Sequence, residues 1–238
     1  MLEKILTYNK IRDLKKLKSI AIIPARGGSK RLPGKNIRLL NGLPLIMHSI
    51  NYAKTNSDII DNIYVSTNDS EIKRIALDEG IEVIDRPLGI SGDEATTLSA
   101  LKHVLENIED KIEKVILLQP TNPLRPKTLL NDAFQVFERG DYDSLMTVSE
   151  SHQKLGRIED EKFVPYNYKM GQRSQDLEPL YFENGLLYII KASLVLEGIL
   201  LGKKNFPFIV NHPFSTVDID YEDDLDYAEF LIKKNSNK

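Results

Sequence analysis

Ser19-Ile20-Ala21-Ile22-Ile23-Pro24-Ala25 is the stretch that decides the fold. Its apolar residues run without the polar alternation of a half-exposed strand, and it opens directly into a glycine-rich loop. It therefore reads as a strand buried on both faces inside a parallel sheet. Outward from it the same unit recurs. The pattern predicts a helix over Pro44–Lys54, a second strand at Asn62–Thr67, a helix over Ser70–Glu79 ended by Gly80, and a third strand at Ile81–Asp85. Thr96–Asn107 is amphipathic with helical period, Lys114–Gln119 reads as a fourth strand, Lys127–Glu138 as a helix ended by Gly140, and Ser144–Val148 as a fifth strand. Repeated strand–helix alternation predicts an α/β fold with a doubly wound, mostly parallel, Rossmann-like sheet that binds ligands at the carboxyl ends of its strands.

Between Ser149 and Glu183 the alternation stops. His152, Arg157, Pro165, Tyr166, Tyr168, Gly171, Arg173 and Pro179 follow no helical or strand period. The stretch is long for a structureless loop, so an inserted hairpin, a lid or a dimerisation arm is expected. Regular structure resumes with a strand at Gly185–Lys191, a helix over Ala192–Leu201 ended by Gly202, and short strands at Phe208–Val210 and Ser215–Ile219. A closing helix, Glu222–Lys233, has the acidic start and basic end that the helix dipole favours. With no repeat and no low-complexity linker, residues 19–236 read as a single domain with an excursion at about 149–183. Residues 1–18 read as an N-terminal extension in which Leu2, Ile5, Leu6, Ile11, Leu14 and Leu17 fall on roughly one face of a short surface helix.

Composition narrows the chemistry. The 238 residues include no cysteine, which removes a disulfide framework, a thiolate nucleophile, a cysteine-based zinc site and an iron–sulfur cluster together. Lys and Arg total 32 against 35 Asp and Glu, a net charge of −3, so the chain is not built to coat nucleic acid, although a local basic pocket is allowed. No stretch approaches the roughly 18–20 apolar residues of a membrane span. Lys4, Lys10, Arg12, Lys15, Lys16 and Lys18 leave no apolar core for a signal peptide. A cytoplasmic protein without membrane or nucleic-acid partners is expected.

The loop after the first strand, Pro24-Ala25-Arg26-Gly27-Gly28-Ser29-Lys30-Arg31-Leu32-Pro33-Gly34-Lys35-Asn36, combines glycines, a serine and cations. Small residues let backbone N–H groups approach a polyphosphate and cations neutralise it. It is not a Walker A loop, because Gly28 and Gly34 enclose five residues and Asn36 follows Lys35. Nor is it a dinucleotide fingerprint. In Ser215-Thr216-Val217-Asp218-Ile219-Asp220, strand periodicity would put Asp218 and Asp220 on one side, a pairing suited to Mg²⁺ together with substrate phosphates. Leu118-Gln119-Pro120-Thr121-Asn122-Pro123-Leu124-Arg125 follows the fourth strand, and its prolines are expected to set a rigid turn displaying Gln119 and Arg125. Glu183-Asn184-Gly185-Leu186-Leu187-Tyr188 offers amide and phenol groups for a polyhydroxylated ligand. His48, His103, His152 and His212 show no metal spacing and read as structural or surface residues.

Together these segments resemble the acylneuraminate cytidylyltransferases, the CMP-sialic acid synthetase family. That pattern runs Ala-Arg-x-x-Ser-Lys-x-x-Pro-x-Lys-Asn, then Leu-Gln-Pro-Thr-Ser-Pro-Leu-Arg, then Asn-Gly-x-x-Tyr, then Asp-Ile-Asp, and the similarity covers about Ser19–Ile232. It implies a nucleotidyltransferase-type sheet and a homodimeric, Mg²⁺-dependent enzyme. The implied reaction joins CTP to a nine-carbon 2-keto acid sugar, N-acetylneuraminate or a related nonulosonate, and releases pyrophosphate.

Carried over by position, Arg26, Lys30 and Lys35 contact the triphosphate, and Asn36, beside Ala25 and Gly27, the nucleotide. Arg86 in Asp85-Arg86-Pro87 and Thr97 in Asp93-Glu94-Ala95-Thr96-Thr97 recognise cytidine. Gln119 and Tyr188 contact the sugar, Arg173 and Lys154 are candidates for its carboxylate, and Asp218 and Asp220 hold the metal, with Asp220 the main catalytic carboxylate. Phe206 and Phe208 are candidates for the aromatic pair that family members lend across the dimer. Asn122 stands where the family usually has Ser, and Leu186-Leu187 replaces a smaller pair, which bears on the sugar and not on the reaction. Legionaminate, Kdn and pseudaminate are alternative acceptors, with Pro123-Leu124-Arg125 leaning towards sialate or legionaminate. Kdo is disfavoured by Gly27-Gly28-Ser29-Lys30. A non-catalytic nucleotide-sugar-binding module is the remote alternative, opposed by retention of Lys30, Lys35, Asp218 and Asp220.

Overall fold

The computed structural model describes residues 18–236; the amphipathic stripe of the N-terminal extension lies outside them. In chain order the elements are β1 (Lys18–Pro24), a hairpin of β2 (Leu39–Leu40) and β3 (Leu43–Pro44), α1 (Leu45–Lys54), β4 (Asn62–Thr67), α2 (Ser70–Asp78), β5 (Glu82–Asp85), α3 (Thr97–Glu106) and β6 (Ile112–Leu117). There follow α4 (Leu129–Arg139), β7 (Ser144–Ser151), β8 (Gly156–Glu159), β9 (Lys162–Pro165), β10 (Leu180–Lys191), α5 (Ala192–Leu196), β11 (Asn205–Ile209) and α6 (Glu222–Ser236).

Strand β1 behaves as its sequence requires. Ile20 and Ile22 enter one core and Ala21 and Ile23 the other, all fully buried. Each such isoleucine contributes about 1.5–3 kcal/mol relative to exposure. Around β1 the seven-stranded sheet runs β11-β7-β10-β6-β1-β4-β5. β1 pairs in parallel with β4 (Ile22 opposite Tyr64) and with β6 (Ile22 opposite Leu117). β10 is antiparallel to both β6 and β7, and β11 returns parallel to β7. From β1 the chain winds outward to β4 and β5, then crosses back to β6, so strand order reverses between β1 and β6. A doubly wound sheet leaves its ligand crevice at such a reversal.

Helices α1, α2 and α4 cover the Ala21–Ile23 face, while α3 and α5 cover the Ile20–Ile22 face. Asp69 caps α2 by accepting from Glu71 N and Ile72 N at 2.9 and 3.0 Å, and Thr96 caps α3 from Ser99 N at 3.1 Å, each cap worth roughly 1 kcal/mol. A third cluster has direct bearing on the site: Leu225, Ala228 and Leu231 of α6 pack with Leu32 and Leu40 beyond β1 and with Val217 and Ile219. The last helix thereby fastens the 217–220 segment beside the loop that follows β1.

Several expectations are corrected. Ser215–Ile219 is not a strand: Pro213–Thr216 is a 3₁₀ turn, Val217 after it is extended, and 217–219 join no ladder. Period two survives in the burial, with Ser215, Val217 and Ile219 inside and Thr216 and Asp218 outside, because the third cluster replaces a neighbouring strand. The helix starting at Ala192 stops at Leu196, since Gly198 takes the left-handed conformation (φ +80°); Gly202 is not its end. The strand expected at Phe208–Val210 spans Asn205–Ile209, and both Phe206 and Phe208 pack on their own core, with Phe206 4.8 Å from the Tyr142 ring. The excursion carries the β8–β9 hairpin, and β7 and β10 extend into it, pairing Ser151 with Leu180.

Candidate active site

The carboxyl ends of β1 and β6 open onto two adjoining clefts. The first, about 180 Å³, is bordered by Arg26, Gly28, Ser29, Lys35, Asn36, Arg86 and Thr97. The second, about 510 Å³, is bordered by Phe182, Glu183, Tyr188, Ser215, Asp218 and Asp220. Gln119 and Thr121 border both.

The first cleft is cationic because its arginines and lysine are held in place by backbone. Asn36, buried, donates to Arg26 O at 2.9 Å and so closes the loop after β1. Arg26 donates to Gly92 O and lies 3.3 Å from Asp93, which Lys30 also engages. Lys30 and, behind it, Arg26 hold the Asp93 carboxyl below its usual range. Arg86 is buried, with Nε and Nη2 on Ser66 Oγ and O at 3.1 and 2.8 Å. Burial, with the nearby charge of Arg26, lowers its pKa to about 10, so it is still a cation at neutral pH.

Lys35 joins the two clefts. Its ammonium, only 12% exposed, donates to Ile219 O at 2.8 Å and to Asp220 Oδ1 at 2.9 Å. Arg31 engages the other oxygen of Asp220. Burial alone would raise the Asp220 carboxyl; Lys35 and Arg31 outweigh it and hold the group below the ordinary range. Asp218 moves the other way. The surrounding wall raises its pKa and the charges of Asp220 and Asp224 add to this, against a hydrogen bond from Thr121 and the charge of Lys35.

The second cleft depends on a bulge in β10. Glu183 sits opposite Val148 and Tyr188 opposite Met146, so five residue steps on β10 match two on β7. Val148 and Met146 share a face, and the surplus therefore brings Glu183 and Tyr188 to the same face as well. Gly185 makes the bulge possible: its φ is +71°, and a Cβ there would lie 2.5 Å from Asn122 Oδ1 and 2.9 Å from Gln119 Oε1. Asn184, also buried, is pinned by Thr147 Oγ1 at 2.6 Å. Tyr188 donates to Glu183, and burial together with Glu183 raises its pKa, so the phenol stays protonated.

Arg26, Lys35, Asn36, Arg86, Thr97 and Gln119 are thus gathered around the first cleft, and Gln119, Tyr188, Asp218 and Asp220 around the second. Other expected residues are not at the linings. Ala25 is buried in the core, and Gly27 spends its N–H on Asn68 Oδ1 at 3.1 Å, its missing Cβ leaving room for Asp69. Lys30 is 81% exposed on Asp93. Arg173 is paired with Asp176 at 2.7 and 2.9 Å, and Lys154 donates to Gln172 O, both out on the excursion. Arg125 is not displayed by its turn. It is buried, donating to Leu186 O, Ser49 Oγ and Gln119 O at 2.6, 3.1 and 2.8 Å, and burial lowers its pKa to about 10. Sequence reading passed over Arg31 and Asp93, whose charges lay in plain view but whose partners are remote, and did not single out Thr121 or Glu183.

The family described as Cytidylyltransferase matches residues 20–237, and the chain belongs to that family. It is 34% identical over 236 residues to an N-acylneuraminate cytidylyltransferase of Streptococcus agalactiae serotype V, covering 93% of this chain and 56% of that protein. It is 33% identical to a pseudaminic acid cytidylyltransferase of Campylobacter jejuni, covering 92% and 98% of the two chains. It is equally 33% identical to a CMP-N,N'-diacetyllegionaminic acid synthase of Legionella pneumophila, again covering 92% and 98%. The chain spans a little over half the length of the streptococcal relatives. Among solved structures, a CMP:2-keto-3-deoxy-manno-octonic acid synthetase complexed with CTP shares the fold with a TM-score of 0.68 at 16% identity, covering 92% of this chain and 99% of that one.

Proposed function

We propose that the chain condenses CTP with a nine-carbon 2-keto acid sugar to give a CMP-sugar and pyrophosphate. The observation that carries this reading is the pair of clefts meeting at Gln119 and Thr121, one lined by cations and the other by carboxylates. The triphosphate belongs with Arg26, Lys35 and Arg86, with Lys30 at the mouth, and the acceptor with Gln119, Tyr188 and the β10 bulge. The sugar 2-hydroxyl then faces the α-phosphate across the shared wall, in line with the departing pyrophosphate. Such phosphoryl chemistry demands positioning and charge neutralisation more than covalent help. Arg26 and Lys35 supply fixed positive charge where the leaving group accumulates negative charge.

Asp218 and Asp220 fit a magnesium ion by the chemistry of the donor set. Among the described residues no cluster of three or more ligating side chains exists, but Mg²⁺ takes one or two carboxylates and completes its shell with phosphates and water. Bound there, the ion would neutralise phosphate charge and lower the pKa of a coordinated hydroxyl.

Lys154 and Arg173 are the cations this reading assigns to the sugar carboxylate, reached when the excursion closes or a second copy docks. The excursion exposes Ile158 (73%), Tyr166 and Met170, an apolar surface suited to pairing two copies as a homodimer. No described helix is long and apolar enough to cross a membrane. A nucleoside triphosphate substrate gives the reaction a cytoplasmic location.

Relatives named for three different sugars match at nearly equal identity, so the acceptor is a matter for assay. Pyrophosphate release should be measured with CTP, UTP, ATP and GTP, each crossed with N-acetylneuraminate, Kdn, N,N'-diacetyllegionaminate, pseudaminate and Kdo. CTP with one or more nine-carbon acids is the expected pair. Release with no combination overturns the reading.

A further inference from the structure

The hydrogen-bond complement of the second cleft assigns a role to Glu183, resting on the reading above that this cleft takes the acceptor. Apart from the Gln119 amide, which borders both clefts, most donors on its lining side chains are spent within the protein. Ser215 Oγ donates to His212 O at 2.8 Å and Thr216 Oγ1 to Pro213 O at 2.9 Å. The single proton of Thr121 Oγ1 is shared between Asn122 Oδ1 at 3.2 Å and the Asp218 carboxylate, and the Asn122 amide reaches Asn184 O at 3.1 Å and Val217 O at 3.0 Å. Tyr188 gives its single proton to Glu183 Oε1. The side-chain capacity left over is therefore largely acceptor capacity, in the carboxylates of Glu183, Asp218 and Asp220.

A ligand seated there has to bring donors, which a polyhydroxylated, acylated sugar carries as O–H and amide N–H groups. Asp220 is bound by Lys35 and Arg31 and Asp218 adjoins it, whereas Glu183 makes no ion pair among the described residues. Burial separates the two members of the Tyr188–Glu183 pair: Tyr188 is 3% exposed and Glu183 is exposed. We propose that Glu183 is a specificity-determining residue whose second carboxylate oxygen accepts a hydrogen bond from a hydroxyl or amide N–H of the acceptor. Tyr188 is then a positioning residue that holds that carboxylate, and its hydroxyl proton does not go to the sugar.

The two roles predict an order of effects that separates them. With N-acetylneuraminate and N,N'-diacetyllegionaminate as acceptors, Glu183→Gln, which keeps the shape and still accepts from Tyr188, should raise acceptor KM at least about tenfold. The KM for CTP should stay within about twofold, a split that a loss of folded protein would not produce. Tyr188→Phe should raise acceptor KM less than about threefold. Glu183→Ala, measured alongside with thermal melting of each variant, serves if the glutamine variant folds poorly, and should show the same split. Unchanged acceptor KM in both Glu183 variants, or a Tyr188→Phe effect equal to or larger than theirs, overturns the assignment while leaving the acceptor reading intact. No pyrophosphate release by the unaltered chain with either sugar removes both.

Discussion

The two clefts share a wall yet are built by different means. The first is made of short segments directly following parallel strands: the loop after β1, Arg86 just beyond β5, and Thr97 at the head of α3. Each piece is local, so its residues stand close together in sequence and can be read as a motif. The second is assembled from the β10 bulge, the turn after β6 and the extended 215–220 segment fastened by α6. What holds it is tertiary, and its key side chains meet only because distant segments are tied together. The lesson is that a cationic cleft built from loops after strands can be written into a few consecutive residues, whereas a cleft walled by a strand bulge and a packed extended segment draws on distant parts of the chain.

If that contrast is right, the largest effect should come where the clefts meet. Asp220→Asn should lower kcat at least ~100-fold, equivalent to the several kcal/mol of charge stabilisation expected at a metal carboxylate, with the circular dichroism spectrum unchanged. Near-normal CMP-sugar formation by this variant sinks the assignment of Asp218 and Asp220. Next, Gly185→Ala should damage the second cleft alone. Forcing a Cβ into the bulge costs roughly 1–3 kcal/mol, so the melting temperature should fall and acceptor KM rise, while nucleotide affinity measured by calorimetry holds. Equal loss of CTP affinity would mean the clefts are not separable.

Arg86→Met makes the complementary test. Removing a buried charged donor should raise KM for CTP about 10-fold or more and leave acceptor KM alone in steady-state assays. The smallest effect belongs to the mouth of the first cleft. On the proposal that the triphosphate takes Arg26 and Lys30, Asp93 is its competitor for them, and Asp93→Asn should lower KM for CTP by no more than ~5-fold, as exposed ion pairs are weak. The Asp93 carboxyl is held below its ordinary value of 3.8. Its contribution to stability is therefore complete above about that pH and disappears as pH falls through the lower, folded-state value. Acid unfolding curves of the parent chain and Asp93→Asn should accordingly differ near neutrality and converge at the acid end.

Much of this was legible in the sequence, for reasons that follow from the same contrast. The apolar run at 20–23, the glycines and caps around α2 and α3, and the cations between Arg26 and Lys35 report on their immediate neighbourhood, so composition and period suffice. Asp218 and Asp220 fall near one another as their alternation suggests, although the cause is packing against α6 and not a strand ladder. The β10 bulge was not legible, because it is defined by register against β7 some 35 residues earlier, and nothing in Glu183-Asn184-Gly185 states that register. Arg31 pairs with Asp220 across 189 positions, and Arg125 turned inward because three acceptors await it there. Such pairings are properties of the closed chain alone.

Arg125 also bears on how the molecule breathes. One guanidinium clamps the backbone of the turn after β6 to the backbone of the β10 bulge, through Gln119 O and Leu186 O, and anchors both to Ser49 on α1. To let either wall fray on its own would strand a buried cation, a cost far above that of ordinary surface opening. The two walls are therefore expected to open as one cooperative unit, which hydrogen exchange would show as a single protection level shared by the amides within 119–125 and 184–188. One buried side chain thus makes the shared wall of the two clefts a single mechanical piece.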